Sequence, residues 1–167
     1  GTYIIGEESD NGQTHTAKIK GGLKVGSNTI VQGSGWGTIL KIKEAINTPA
    51  TTWQKMPIFI NNDDISGNVN IFIRDMKLDG NREGTITAAA SEMEGIDFIN
   101  VDNSRIENVW IIDIRNDAID LDTCDDCTID RCRIEWTTKA NGWNGVHAGN
   151  NNARFRLSNS LLRNCGT

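Results

Sequence analysis

The 167-residue sequence has little of several residue types, and each scarcity excludes a class of protein. It has only two prolines beside 17 glycines, which excludes a collagen-like or low-complexity chain. No apolar run reaches about 18 residues, so no membrane span is expected. Basic residues form no cluster and the net charge is −5, so nucleic acid is not expected as a partner. Residues 1–5 already form a predicted strand, so no signal peptide is expected at the start of the chain.

What the chain has in abundance is asparagine and aspartate, and its hydrophobic fraction is 37%. Both residue types favour turns because they tolerate left-handed backbone and bond their own main chain. A hydrophobic fraction this low suits one thin, elongated domain with much solvated surface better than a compact helical bundle.

The cysteines leave three interpretations open. The chain has four of them: Cys124, Cys127, Cys132 and Cys165. An even number is compatible with two disulfides in an oxidising compartment, and equally with reduced, packed thiols. A zinc site is less favoured, because only Cys124 and Cys127 have the required Cys-x-x-Cys spacing.

An internal repeat is the main structural signal. Similar alternating segments begin at Gly95-Ile96-Asp97-Phe98, Ala118-Ile119-Asp120-Leu121 and Gly145-Val146-His147-Ala148. Apolar anchors recur at Val31, Ile73, Ile106, Ile129 and Leu157, at intervals of 42, 33, 23 and 28 residues. Further apolar positions follow five residues after the last three anchors, at Ile111, Ile134 and Leu162.

The shortest interval predicts one turn, or rung, of an all-β, right-handed, single-stranded parallel β-helix. Strand residues advance about 3.3 Å each, so 23 residues can pass three short strands around a narrow core. We expect about five to six rungs, stacked about 4.8 Å apart. The longer intervals predict loops at about 44–56 and 82–93 within a single domain, residues 1–167. An antiparallel sandwich also has many short strands, but it does not predict like residues at one place in each unit.

Stacked rungs place equivalent residues in columns. A turn column should hold Asn28, Asn70, Asn103 and Asp126, whose side chains can bond one another. An outward column should hold Asp97, Asp120 and His147, and a column three residues earlier Glu94, Asp117 and Asn144. Asp122 should face the same side as Asp120, because strand side chains alternate.

Neither end shows a capping helix. Uncapped rungs expose strand edges that invite pairing, and terminal repeats normally cover them. The expected partners therefore include further β-helix rungs or a neighbouring chain, and this stretch is expected to be part of a longer helix.

Four segments resemble the pectin-lyase-like superfamily. Residues 27–35 resemble its opening rung, and residues 71–76 resemble the rung that follows. Residues 108–113, Asn-Val-Trp-Ile-Ile-Asp, are similar to the pectate lyase stretch Val-Trp-Ile-Asp-His, although Ile112 intervenes and the histidine is missing. Residues 116–120 are similar to the lyase segment that bears calcium-binding aspartates. The resemblance implies a β-helix that acts on acidic polysaccharide.

Two departures separate the chain from the enzymes it resembles. The Arg-x-Pro-Arg-x-Arg motif that carries the proton-abstracting arginine of pectate lyases does not occur here. A polygalacturonase-like hydrolase would need a Gly-His-Gly rung, and Asn144 stands where its histidine belongs.

The outward columns are rich in carboxylates. Between Asp97 and Asp130 there are nine aspartates and Glu107, against two arginines and no lysine. Carboxylates stacked this closely need a cation, a raised pKa or free access to water. Following the resemblance, we predict Ca²⁺ as cofactor, held by Asp97, Asp117, Asp120 and Asp122 and neutralising a substrate uronate. The alternative interpretation is that these aspartates are solvated turn residues.

Catalytic candidates are Lys139, His147 and Asp120, with Lys139 as base or substrate-binding residue. Inverting hydrolysis would instead need two carboxyl groups about 6.5–9.5 Å apart. Among the five tryptophans, Trp53 and Trp143 lie in loop-like contexts and are predicted to stack on sugar rings, with Asn144 beside them. Trp110 and Trp136 alternate with inward residues and should line the outer strand face, where packing is their alternative role.

These features favour an extracellular, secreted enzyme that cleaves uronic-acid-containing polysaccharide by calcium-assisted β-elimination. One alternative is a non-catalytic β-helical rod of a phage tailspike, adhesin or extracellular fibre. A further alternative is a polygalacturonase-like glycoside hydrolase.

Overall fold

The computed structural model describes residues 22–42, 57–82, 93–136 and 144–165 in full, together with the backbone of residues 2–5, 18–19, 54–55, 91–92 and 137. These residues are all strand, turn or irregular backbone, with no helix among them. In particular, the described part of the chain contains no helix long and apolar enough to cross a membrane.

Nineteen strands are found in this part of the chain. The first ten are β1 (Thr2–Ile5), β2 (Lys18–Ile19), β3 (Leu23–Val25), β4 (Thr29–Gln32), β5 (Ile39–Ile42), β6 (Gln54–Lys55), β7 (Phe59–Asn61), β8 (Asn68–Val69), β9 (Ile71–Asp79) and β10 (Ser91–Glu92). The others are β11 (Ile96–Ile99), β12 (Val101–Asp102), β13 (Arg105–Ile112), β14 (Ile119–Asp122), β15 (Thr128–Asp130), β16 (Arg133–Thr137), β17 (Val146–Gly149), β18 (Arg156–Ser158) and β19 (Leu161–Cys165).

All the strand pairs are parallel, which excludes the antiparallel sandwich. A five-stranded sheet has the order β17-β14-β11-β7-β3, and a nine-stranded sheet is built around β1-β5-β9-β13-β15-β18. A three-stranded sheet (β10-β6-β2) and a two-stranded sheet (β12-β8) complete the set. Each strand therefore pairs with strands of the neighbouring rungs, which is the predicted parallel β-helix, and the five-stranded sheet counts five rungs.

The register confirms the repeat residue by residue. Val31 pairs with Ile73, Ile73 with Ile106, Ile106 with Ile129, and Ile129 with Leu157. Ile111, Ile134 and Leu162 are likewise consecutive partners. The aliphatic side chains of these columns fill the core, because alternation turns every second strand residue inward.

The turn column is confirmed and extends one residue further than predicted. Positive φ angles are found at all four predicted positions, Asn28, Asn70, Asn103 and Asp126. Asn70 Nδ2 donates to Asn28 Oδ1 at 2.8 Å, and Asn103 Nδ2 donates to Asn70 Oδ1 at 2.6 Å. Arg154 continues the column at φ 53°, and its Nε donates to Asp126 Oδ1 at 2.6 Å. Each rung thus turns at the same place through left-handed backbone.

The predicted loops differ from the structure at their ends. Residues 54–55 form β6 and residues 91–92 form β10, and these two strands pair with each other in the three-stranded sheet. Two-residue strands carry no alternating pattern that a sequence could reveal. Residues 43–53 and 83–90 lie outside the described residues.

The cysteines are free thiols, as the packed-thiol interpretation expects. Cys124, Cys127 and Cys132 are buried in the core and Cys165 is half-buried. No cysteine belongs to a group of three or more potential metal ligands within the described residues, so the zinc interpretation gains no support.

The last described rung is more open than the one below it. Leu157 and Leu162 are 41% and 40% exposed, whereas their partners Ile129 and Ile134 are fully buried. Inward-facing leucines at this edge are therefore in contact with solvent.

Candidate functional site

The five-stranded sheet carries the acidic column on its outward face. Asp97 pairs with Asp120, and Asp120 pairs with His147, as the repeat predicts. In β14 the flanking Ile119 and Leu121 are buried in the core, so Asp120 between them points away from it. The three side chains therefore stand above one another on the same face of the sheet.

Burial changes steeply along this column. Asp97 is fully buried, whereas the side chain of Asp120 is 10% exposed and that of His147 is 44% exposed. The column therefore becomes accessible to solvent at His147, and the part of it that can meet a large substrate is the Asp120–His147 end.

Asp120 and His147 form a hydrogen-bonded pair. The Nδ1 of His147 lies 2.8 Å from Oδ1 of Asp120. Partial burial by itself lowers the pKa of His147, but the hydrogen bond and charge of Asp120, with the charges of Asp117 and Asp122, outweigh it and raise the pKa above its ordinary value. Asp120 accepts the Nδ1 proton in this pair, so the Nε2 lone pair of the neutral ring is left available.

Asp117 is fixed beside this pair by its own turn. Its Oδ1 accepts a hydrogen bond from the backbone N–H of Asn144, one rung away. The preceding residue, Asn116, exchanges hydrogen bonds with the backbone of Met93, which holds the turn from the opposite side. Asp117, Asp120 and His147 each offer a ligand atom, and these three atoms lie within 4.8 Å of one another.

Gly149 leaves room for His147 and Asp122 to approach each other. Gly149 pairs with Asp122 in the register, and Asn150 Nδ2 donates to Asp122 Oδ1 at 3.2 Å. A Cβ on Gly149 would lie 2.7 Å from both Asp122 Oδ1 and His147 Cε1, and 3.0 Å from His147 Nε2. The glycine thus borders the space beside the imidazole.

Arg115, at the turn that carries Asp117, is influenced by the charge of a second arginine. Burial first, and the charge of Arg82 second, lower the pKa of Arg115, which lies two residues before Asp117. An anion near this turn would offset the repulsion between the two positive charges. The sequence does not predict this influence, because residues 82 and 115 are far apart in the chain and show no motif.

The residues predicted as site residues are only partly brought together. Asp117, Asp120 and His147 meet, Asn144 contacts Asp117 through its backbone, and Asp122 flanks Gly149. Asp97 lies fully buried one rung from Asp120, outside the group of three. Lys139, Trp53 and Trp143 lie outside the described residues, so their roles stay predictions.

The three clustered donors do not by themselves make up a calcium site. Calcium takes about six to eight oxygen ligands. Here one of three donors is an imidazole nitrogen, which suits zinc, copper, iron or nickel, and Asp120 already bonds that imidazole. The calcium requirement stays a prediction from the resemblance, and no chemical step below depends on it.

The parallel strand pairs of the stacked rungs define the fold class of the chain. The chain has a parallel β-helix fold, which solved structures of other proteins share. No family model matches the sequence, and no curated protein sequence matches it.

Two solved structures illustrate this likeness of fold. One is a protein from Parabacteroides merdae classed as a glycosyl hydrolase, with a TM-score of 0.55 and 13% identity over 97% of this chain and 80% of that one. The other is the A-module of mannuronan C-5 epimerase from Azotobacter vinelandii, with a TM-score of 0.56 and 15% identity over 93% of this chain. The match spans 48% of the epimerase chain, about half its length.

Proposed function

We propose that this chain is part of an enzyme that removes the C5 proton of a uronic acid residue in an acidic polysaccharide. The observation that carries the proposal is the 2.8 Å contact between Asp120 and the half-exposed His147. The solved structures of similar fold, a glycosyl hydrolase and a mannuronan epimerase, support a carbohydrate-polymer substrate.

His147 is the proposed base. Its neutral ring presents the Nε2 lone pair, because Nδ1 carries the ring proton and donates a hydrogen bond to Asp120 Oδ1. When Nε2 takes the C5 proton, the imidazolium that forms is stabilised by the Asp120 carboxylate. Asp120 thereby orients the ring and raises its proton affinity, without itself contacting the sugar.

The substrate carboxylate needs a positive partner for this step. The C5 proton is acidified when charge on the adjacent carboxylate is neutralised, since the electrons left at C5 delocalise into that group. We propose that Arg115 and Arg82 supply this charge, in line with the lowered pKa of Arg115 and its position two residues from Asp117.

The carbanion formed at C5 has two possible fates. If the C5–H electrons form a C4–C5 double bond and the C4 oxygen leaves, the chain breaks into a new reducing end and an unsaturated sugar. If a proton returns to the opposite face of C5, the sugar is epimerised and the chain stays intact. We propose elimination, as the sequence resemblance implies.

Inverting hydrolysis is less compatible with the carboxylates present. Oxygens of Asp117 and Asp120 lie within 4.8 Å of each other, whereas inverting glycosidases separate their carboxyl groups by about 6.5–9.5 Å to admit a water. The polygalacturonase-like alternative therefore lacks its required spacing within this pair.

The test is a panel of polymers with three readouts. Polygalacturonate, polymannuronate, polyguluronate and a neutral galactan are incubated with the protein, and unsaturated sugars, reducing ends and C5 configuration are measured. Elimination gives unsaturated sugars together with new reducing ends. Epimerisation changes the C5 configuration without either of these, and hydrolysis gives new reducing ends alone. Absence of every product would contradict the proposal, and so would products that survive His147→Gln. Parallel reactions in Ca²⁺ and in EDTA test the calcium prediction separately.

A polymer substrate of this kind implies work outside the cell, so we also propose an extracellular location. The exposed Leu157 and Leu162 support the predicted partner at this edge, which is a further β-helix rung or a neighbouring chain. Covering this edge, by self-association at high protein concentration or by any encoded residues beyond Thr167, should bury both leucines, which hydrogen exchange of β18 and β19 would report as slower exchange. Unchanged exchange there would contradict this part of the proposal.

A further inference from the structure

A second group of side chains, half-buried or exposed, lies on the nine-stranded sheet and on the loop between β4 and β5, away from the acidic column. Lys77, Trp110 and Arg133 are consecutive partners in one outward column. The Lys77 Nζ lies 4.6 Å from the Trp110 ring centroid and the Arg133 Cζ lies 4.9 Å from it. Trp36 adds a second ring, with centroids 5.5 Å apart and planes tilted by 55°. We call these four residues the tryptophan patch.

The patch is held rigidly. The Nε1 of Trp36 donates to the backbone oxygen of Asn108 at 3.1 Å, and the Nε1 of Trp110 donates to Glu135 Oε2 at 3.2 Å. The loop that carries Trp36 is pinned by a hydrogen bond from the Gly35 N–H to the Asp75 carbonyl at 2.9 Å. Trp36 is nevertheless 38% exposed, so the ring is offered to solvent in a fixed position.

The charge of this face is opposite to that of the whole chain. Its two outward columns contain four cations and two carboxylates: Lys41, Lys77, Arg133 and Arg163 against Asp79 and Glu135. The face is therefore net positive in a chain whose net charge is −5. Arg133 is engaged by Glu135 at 2.7 Å, but no ion pair involves Lys77 among the residues that the structure describes.

We propose that the tryptophan patch is a second binding site for an anionic polysaccharide, distinct from the His147 site. The C–H face of a pyranose ring packs on an aromatic face such as that of Trp36, and the adjacent Lys77 ammonium pairs with a sugar carboxylate. Rungs about 4.8 Å apart present such groups in a line along the helix axis, the direction in which an extended chain would lie. The choice of a uronic acid polymer rests on the proposed function, whereas the site itself does not.

The test measures retardation in gels that contain polygalacturonate, polymannuronate or a neutral galactan. All proteins carry His147→Gln, so that turnover cannot remove the ligand. Trp36→Ala should weaken binding to the uronic acid polymers about tenfold, whereas Trp36→Phe should keep most of it. Lys77→Gln should cause a smaller loss that disappears at high salt. Trp136→Asn, at a tryptophan that is 49% exposed outside the patch, and Arg156→Gln are the matched controls and should bind normally.

The outcomes separate this inference from the proposed function. One outcome is retardation that depends on Trp36, while the protein without substitutions turns over none of the polymers. This outcome supports the tryptophan patch and contradicts the proposed function. Turnover together with retardation that Trp36→Ala and Lys77→Gln leave unchanged overturns the patch and leaves the function standing. Equal retardation by the neutral galactan would also overturn it. Should Trp36→Ala unfold the protein, the comparison of Lys77→Gln with Arg156→Gln decides.

Discussion

The inward and outward columns of the five-stranded sheet follow different rules. Inward, Phe59, Ile96, Ile119 and Val146 are consecutive partners, and every one is apolar. Outward, one residue further along the same strands, the partners are Ile60, Asp97, Asp120 and His147. The same hydrogen-bond ladder holds both columns, so the difference shows that core packing restricts the inward residue to apolar side chains. The outward residue can be polar, and it is accessible for chemistry at the Asp120–His147 end.

The largest effect should come from the outward column. His147→Gln removes the proposed base, and general base catalysis is worth about 10²–10⁴-fold in rate, so activity should fall by that factor. The unaltered enzyme should gain activity as pH rises through the pKa of His147, since only the neutral ring accepts a proton. His15→Gln, at the only other histidine, is the control. A pH profile that survives His147→Gln would contradict the assignment.

Substitutions in the inward column should instead lower the stability of the fold. Ile119 is fully buried in the middle of the column, and Ile119→Ala should lower the free energy of unfolding by about 2–5 kcal/mol through lost packing and the cavity left behind. Asp122→Asn, on the outward face of the same strand, should change it by less than about 0.5 kcal/mol. Urea denaturation of both variants checks this, and equal losses would remove the distinction between the two columns.

A smaller effect is expected where the outward column is crowded. Gly149→Ala places a Cβ 2.7 Å from Asp122 Oδ1 and His147 Cε1, so the ring must shift. Because misplacing a catalytic group by about 1 Å can cost up to about 10²-fold, we expect a loss of about ten- to a hundredfold in kcat/KM with little change in Tm. Gly37→Ala, where a Cβ meets nothing within 4 Å, is the matched control. Undiminished activity of Gly149→Ala would show that the ring position is not critical.

The smallest effect, on stability, is expected at the corners where the chain turns after β11 and β14. Thr123 has φ 55°, a left-handed conformation that disfavours β-branched residues, whereas Asn100 holds the equivalent corner one rung below. Thr123→Asn should stabilise the chain by up to about 1 kcal/mol. Thr128→Asn, in strand β15, should not stabilise it. A destabilised Thr123→Asn would mean that the threonine makes contacts that outweigh its backbone strain.

The inward columns could be predicted from sequence because like residues recur at like positions. The turn column was predictable at Asn28, Asn70 and Asn103 for the same reason, but not at Arg154. There the left-handed backbone is imposed by stacking on the rung below, and the residue type gives no sign of it.

The outward site was only partly predictable. The repeat places Asp120 beside His147, but the hydrogen bond between them depends on side-chain torsions that spacing does not determine. The full burial of Asp97 depends on what covers the outer face, and the influence of the Arg82 charge on Arg115 depends on chain paths between rungs. Trp36 donates a hydrogen bond to the backbone oxygen of Asn108, which is 72 residues away in the sequence and lies beyond the adjacent rung. No local sequence pattern predicts such a contact.

The most direct measurement is an NMR titration of His147, which His147→Gln distinguishes from His15. Stacking of β17 on β14 places the Asp120 carboxylate against Nδ1 of His147. The pKa of His147 should therefore lie above the ordinary imidazole value, and Asp120→Asn should lower it. If His147 titrates at the same pH with and without the Asp120 charge, the two side chains do not meet, and the proposed site does not exist.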